Sequence, residues 1–298
     1  MITAALVKEL RDKTGAGMMD CKKALTECNG DMDKAIDWLR EKGIAKAEKK
    51  ESRIAAEGLC NIVIKDNNAW VYELNSETDF VAKNQKFIDL LNQMGELAVI
   101  ANAENVDDVL KASLNGETGE SIIVAATSVI GEKISLRRVV KVTKNDDEVF
   151  GVYKHNGGKI AVLSVIKGND FDTAKDVCMH VAMYAPRFLD SSSIDAETLA
   201  HESEMIKNEI ANDPKNASKP ANIIEKMTEG RLAKFKKEIC LVDQSFVKDP
   251  SVTVEQYLKS KNSKAVNYVR YEVGEGMEKR KDDFAAEVAA QAAAAQIK

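Results

Sequence analysis

The stretch Ser76-Glu77-Thr78-Asp79-Phe80-Val81-Ala82-Lys83 decides how this chain reads. Before it, Trp70-Val71-Tyr72-Glu73-Leu74 has the β-branched and aromatic content of a strand. After it, Phe87, Ile88, Leu91 and Met94 recur at helical spacing. Ser76 and Thr78 are good N-cap residues, and Asp79 suits a first helical turn, where unpaired backbone N–H groups favour an anion. Phe80 is out of pattern, a large aromatic beside an acid where a helix begins. Spacing alone favours a hydrophobic staple, with the ring tucked under its own helix, because exposed aromatics are uncommon. The competing reading is a Phe-Asp pair presented to a pocket on another protein.

Toward the N-terminus, Leu6, Val7 and Leu10 form a helical stripe that Thr14-Gly15-Ala16-Gly17 breaks. A second helix runs from Met18 to Cys28 with Cys21, Ala24 and Leu25 inward. Asn29-Gly30 supplies its left-handed end, and Asp31 caps a third helix that uses Ala35, Ile36 and Leu39 and stops at Gly43. Three short helices joined by tight turns predict a small bundle, close to the lower size limit for independent folding. Residues 44–55, rich in Ala, Lys and Glu, read as a helical or flexible linker. Met18-Met19 is notable, since two adjacent methionines on one helix do not both face a core, and an exposed Met is an adaptable contact surface.

From residue 59 the pattern turns to strands. Leu59 to Ile64 and Ala69 to Leu74 flank the turn Lys65-Asp66-Asn67-Asn68. The helix after the Thr78 motif runs to about Ile100. Residues 102–119 are polar and read as a short helix within loops. Ser121 to Ile130 is a helix and Ile134 to Val142 a strand. The order then recurs. Val149 to Lys154 and Ile160 to Ile166 flank His155-Asn156-Gly157-Gly158, and a helix follows with Ala174, Val177, Cys178, Val181 and Ala182. Later, Val254 to Leu258 reads as a helix and Val266 to Val273 as a strand. A strand–strand–helix–helix–strand unit is duplicated, each copy expected to be a three-stranded antiparallel sheet with helices on one face. Between the helices of the second copy, residues 194–211 and 221–239 form an antiparallel helical hairpin, with Leu199, Ile206, Ile210 and Ile223, Met227, Leu232, Phe235, Ile239 as its stripes.

The expected class is α+β. Residues 1–53 hold a three-helix module and linker, and 54–143 the first core unit. Residues 144–189 with 240–274 make the second core unit, 190–239 the inserted hairpin, and 275–298 an Ala-rich C-terminal helix.

Composition narrows the function. The 298 residues carry 43 Lys plus Arg against 48 Asp plus Glu, a net charge of −5, so direct nucleic-acid binding is not expected and a protein partner is. No apolar run is long enough to cross a bilayer, and the N-terminus reads as folded helix rather than a leader, so the expected location is the cytoplasm. Five scattered cysteines fit reduced thiols. Thr14-Gly15-Ala16-Gly17 lacks both the preceding strand and the Lys-Ser/Thr of a phosphate loop. His155, His180 and His201 lie in different elements, so no metal site and no cofactor is expected, and no motif selects a catalytic set. His180 reads as a structural helix residue and His155 as the exposed tip of a hairpin.

Three long motifs carry a family resemblance. They are the Thr78-Asp79-Phe80-Val81 signature after its strand, the stretch from Leu6-Val7-Lys8-Glu9-Leu10-Arg11 through Thr14 to Leu25, and Val269-Arg270-Tyr271-Glu272-Val273-Gly274-Glu275-Gly276. Taken in their order along the chain, they are similar to the elongation factor Ts family, the exchange factors of the translational GTPase elongation factor Tu. The resemblance implies a ubiquitin-associated-like N-terminal bundle and a coiled-coil insertion that serves homodimerisation. It implies that Thr78, Asp79, Phe80 and Val81 disrupt the magnesium site of the GTPase. Arg11, Met18 and Met19 would touch its nucleotide domain, and His155, more weakly, another domain. The activity implied is guanine-nucleotide exchange, binding the GDP form and releasing GDP so that GTP enters, with no covalent chemistry. Two alternatives are a ubiquitin-associated-like adaptor, which would not need the Thr78 motif, and an enzyme using the cysteines.

Overall fold

A computed structural model describes residues 2–216 and 219–278. The described chain divides into two compact units, one of residues 2–59, 73–139 and 273–278, the other of 60–72 and 140–272.

Three helices open the first unit: α1 (Ala4–Thr14), α2 (Met18–Glu27) and α3 (Met32–Glu48). The Thr3 hydroxyl caps α1 by accepting from Leu6 N–H, and the Asp31 carboxylate caps α3 by accepting from Lys34 N–H. Their facing sides, Val7, Leu10, Cys21, Ala24, Leu25 and Ala35, form one apolar cluster. Sequence ended the third helix at Gly43, but the helix continues to Glu48. Gly43 is buried, and a Cβ placed there would stand 3.5 Å from the Cβ of Ser128. The glycine therefore marks a close approach between helices, not a stop. Lys50 Nζ, donating to the Thr127 carbonyl at 3.4 Å, holds the same contact.

The strands β1 (Glu57–Lys65) and β2 (Asn68–Ser76) join at Asp66, which takes the left-handed φ of 54° that a tight hairpin turn requires. Then come α4 (Asp79–Ala82), α5 (Gln85–Ile100) and α6 (Val106–Lys111). Where sequence read loop, Asn115 and Gly116 take φ of 54° and 85° and close a small hairpin, β3 (Ser113–Leu114) with β4 (Glu117–Thr118). α7 (Gly119–Ile130) and β5 (Ser135–Thr143) complete the copy, whose sheet has the order β1-β2-β5. The helix expected to leave the Thr78 motif is two helices, because the Asn84 side chain accepts from Lys86 N–H and starts α5 afresh.

The second copy repeats the plan. β6 (Glu148–His155) pairs antiparallel with β7 (Ile160–Lys167), which pairs antiparallel with β10 (Lys264–Glu272). The second strand is central again, as the duplication predicts. α8 (Phe171–Tyr184), α9 (Ala196–Asn212), α10 (Ala221–Ile239) and α11 (Val254–Ser260) are its helices, and β8 (Ser245–Phe246) with β9 (Asp249–Thr253) is a second short hairpin that sequence did not show. α8 and α11 cover the sheet through Ala174, Val177, Val181, Val254 and Leu258, with Phe246 of β8 in the same cluster. The helical hairpin is α9 with α10, bound at its root by Ile194, Ile239 and Cys240 with Phe188, Leu199 and Phe235. Of the expected stripe, Ile223 is exposed instead, and Thr228 takes an inward position, its hydroxyl bonded to the Ile224 carbonyl.

Of the expected C-terminal helix at 275–298, residues 275–277 are turn and bend, 278 is irregular, and the rest lies outside the described residues. No helix among the described residues is long and apolar enough to cross a membrane.

His180, fully buried on α8, sits between two fixed partners. Its Nε2 faces Gln244 Oε1 at 2.9 Å, and its Nδ1 accepts from Val247 N–H at 3.1 Å. Burial lowers its pKa below the ordinary 6.5, which the Gln244 bond only partly opposes. Protonation would set a second N–H against that of Val247. Below about pH 6.5 the unfolded chain takes up a proton that the folded chain refuses, so stability falls on acidification, at up to about 1.4 kcal/mol per pH unit from one site. Urea unfolding at pH 7.5 and 5.5 should show this loss, and His180→Asn should remove part of it. An equal pH dependence in both proteins would assign the slope elsewhere.

Candidate partner-binding site

β2 delivers the chain to the motif through Ser76, fully buried, whose hydroxyl donates to the Thr78 carbonyl at 2.9 Å. Thr78 is the N-cap of α4, its side chain accepting from Val81 N–H. The same hydroxyl donates to Glu132 Oε1 at 2.7 Å, and Thr78 N–H donates to Glu132 Oε2 at 2.9 Å. The neighbouring pair answers in the other direction: Glu77 Oε1 accepts from Lys133 N–H at 2.6 Å and from the Arg53 guanidinium at 3.3 Å. Residues 77–78 and 132–133 thus clasp each other, and a four-residue helix too short to hold itself is fixed to the turn after α7.

This clasp displays Phe80. Its side chain is 79% exposed, so the staple reading fails. The motif's inward contact is made by Ala82, which is buried, and Val81 is half-buried. Lys83 lies over the pair, with Nζ 2.7 Å from Asp79 Oδ2 and 5.9 Å from the centre of the Phe80 ring. Such exposed contacts are weak, about 0.3–0.5 kcal/mol for an i,i+4 ion pair, so a partner displaces them at little cost.

Arg11, Met18 and Met19 flank the turn between α1 and α2. All three are exposed, the methionines by 58% and 75%, so neither Met faces the core. In the second unit His155 departs from expectation. It is the last residue of β6, half-buried, with Nδ1 3.1 Å from the Tyr153 hydroxyl, and the exposed tip is Asn156-Gly157.

The third signature has a structural role that sequence did not assign. Glu73, fully buried within β2, accepts from Arg138 Nε at 2.6 Å, Arg137 Nη1 at 3.2 Å, Asn75 Nδ2 at 3.0 Å and Gly274 N–H at 2.8 Å. Burial raises its pKa, but the Gly274 N–H, the Asn75 amide and Arg138 outweigh this and hold the carboxyl below its ordinary value. Gly274 has φ of 71°, and a Cβ there would lie 2.3 Å from the Ala56 carbonyl oxygen.

All five cysteines are free, and four are buried. Burial pushes the Cys178 thiol up to about 12 and Cys240 to about 11, against the thiolate a nucleophile needs. Among the described residues no cluster of His, Cys, Asp and Glu could hold a metal ion.

Sequence reasoning missed Glu132, Glu77 and Lys83. The visible signal was faint: an acid directly after the helix-ending Gly131, with nothing to connect it to Thr78.

Comparison with known proteins agrees with the motifs. The family model described as Elongation factor TS matches residues 77–275, from the clasp to the Glu73-bound turn. Over 291 residues the chain is 54% identical to elongation factor Ts of Acholeplasma laidlawii (strain PG-8A), covering 97% of this chain and 98% of that protein. The presented Phe80 helix, the duplicated sheet unit and this likeness together show that the chain belongs to the elongation factor Ts family of translation elongation factors.

Proposed function

We propose that this protein is the guanine-nucleotide exchange factor of elongation factor Tu, acting in the cytoplasm without covalent chemistry or a cofactor of its own. The observation that carries this reading is Phe80, an aromatic ring held in water on a helix that is clasped from behind. An exposed Phe with no packing role of its own is free to be buried by a partner, as the aromatic anchors of interfaces are. With Thr78, Asp79 and Val81 it enters a cleft beside the magnesium site and loosens the ion and GDP. Arg11, Met18 and Met19 meet the nucleotide domain, and His155 adds a minor contact from the second core unit. Linkage makes the effect mutual: by the factor that this protein weakens GDP, GDP weakens it. The direct test is release of a fluorescent GDP analogue from elongation factor Tu, with and without this protein. Equal rates would end the proposal.

The helical hairpin is proposed as a homodimer contact, separate from exchange. Replacing 200–234 by a short Gly/Ser linker keeps Leu199 and Phe235 for the root cluster. Such a variant should release GDP at nearly the full rate while its mass by light scattering falls to that of a monomer. A folded variant that fails to release GDP would make the hairpin part of the exchange surface.

A further inference from the structure

The clasp has a consequence that goes past its role in folding. We infer that Glu132 is a positioning residue for nucleotide exchange, acting only through Phe80; this rests on the exchange reading above. α4 has four residues, and Phe80 contributes almost no packing to keep its own direction. Its orientation depends on Thr78, the residue that begins the helix. Thr78 has two donors, N–H and O–H, and both go to the one Glu132 carboxylate, at 2.9 and 2.7 Å. The hydroxyl's acceptor lone pair takes Val81 N–H at 3.4 Å. The N-cap residue of α4 is therefore tied to the turn after α7 through this one carboxylate, while the Ser76 hydroxyl holds its carbonyl. A carboxylate is the side chain that suits the task, because its two oxygens accept side by side.

Glu77 strengthens the assignment. It fixes the backbone N–H of Lys133, next to Glu132, and is itself held by Arg53. The carboxylate is thus placed by a second contact running the opposite way. A wedge that must enter a narrow cleft gains from such preorganisation, since a freely turning ring occupies the competent direction only part of the time and loses rate by that fraction.

Glu132→Gln tests this at unchanged size. The amide oxygen can still accept from Thr78 N–H, but the NH2 group would have to donate to the Thr78 hydroxyl, reversing that bond and removing the charge from both. GDP release at saturating protein should fall about tenfold, because both bonds to Thr78 lose their charged acceptor. The same change in a Phe80→Ala background should cost nothing further, because the residue it positions is gone. A purely structural role would instead lower release in both backgrounds. Amide hydrogen exchange supplies a readout without the GTPase: residues 79–82 should lose protection in Glu132→Gln while α1, α5 and β7 keep theirs. Additive losses, a wild-type rate in Glu132→Gln, or unchanged protection at 79–82 would each overturn the inference. If the unaltered protein does not accelerate GDP release, the exchange reading itself falls, and faster amide exchange at 79–82 would then leave Glu132 a fold-ordering residue only.

Discussion

Phe80→Ala is expected to slow GDP release from elongation factor Tu by about ten- to hundredfold. Burying a phenylalanine contributes roughly 1.5–3 kcal/mol, and each ~1.4 kcal/mol applied to the barrier is tenfold in rate. The ring is 79% exposed in the free protein, so nearly all of that burial is available on docking. The same exposure fixes the control. Removing the ring takes little from the folded state, and the melting temperature should stay within the range of an ordinary surface substitution, about ±0.5 kcal/mol. Stopped-flow release of labelled GDP, with thermal melts alongside, checks both halves. A marked fall in melting temperature would restore the staple reading, and an unchanged rate would remove Phe80 from the site.

The largest expected effect on stability is at Glu73. Glu73→Ala leaves Arg137 and Arg138, both half-buried, without the carboxylate between them and frees the Gly274 N–H. Removing one partner of such a network costs on the order of 3–5 kcal/mol, a large part of a typical domain's stability. Gly274→Ala strikes the same joint from the other side, since its Cβ would press on the Ala56 carbonyl at a φ that L-residues avoid. Both should lower the urea midpoint strongly, and Glu73→Gln less so. The pH dependence follows from the depressed pKa. The carboxylate's contribution is present above the ordinary value of 4.5 and is lost as pH falls through the lower folded-state value. The gap between wild type and Glu73→Gln should therefore narrow in acid. A midpoint shift below about 1 kcal/mol in Glu73→Ala would show that the arginines find other partners.

What the sequence determined by itself is what neighbouring residues decide. Thr3, Asp31 and Asn105 cap helices from positions where capping residues stood in the chain, and Asp66 and Asn156 take the left-handed turns their hairpins need. The order of strands and helices, its repetition, and the inserted helical pair were legible because periodicity and turn chemistry act over a few residues. The three family motifs were legible as well, as patterns without geometry. Tertiary structure decided the rest. Gly43 reads locally as a stop, yet packing against α7 outweighs a propensity cost of about 1 kcal/mol and keeps the helix running. Thr78 meets Glu132 across 54 positions and Glu73 meets Gly274 across 201, and no period in the sequence links residues so far apart. His155 became half-buried because Tyr153, two residues back on the same face of β6, holds its ring. The exposure of Phe80 is the plainest case. The same sequence could staple the ring under its helix or hold it in water, and the choice fell to a carboxylate that only folding brings to Thr78.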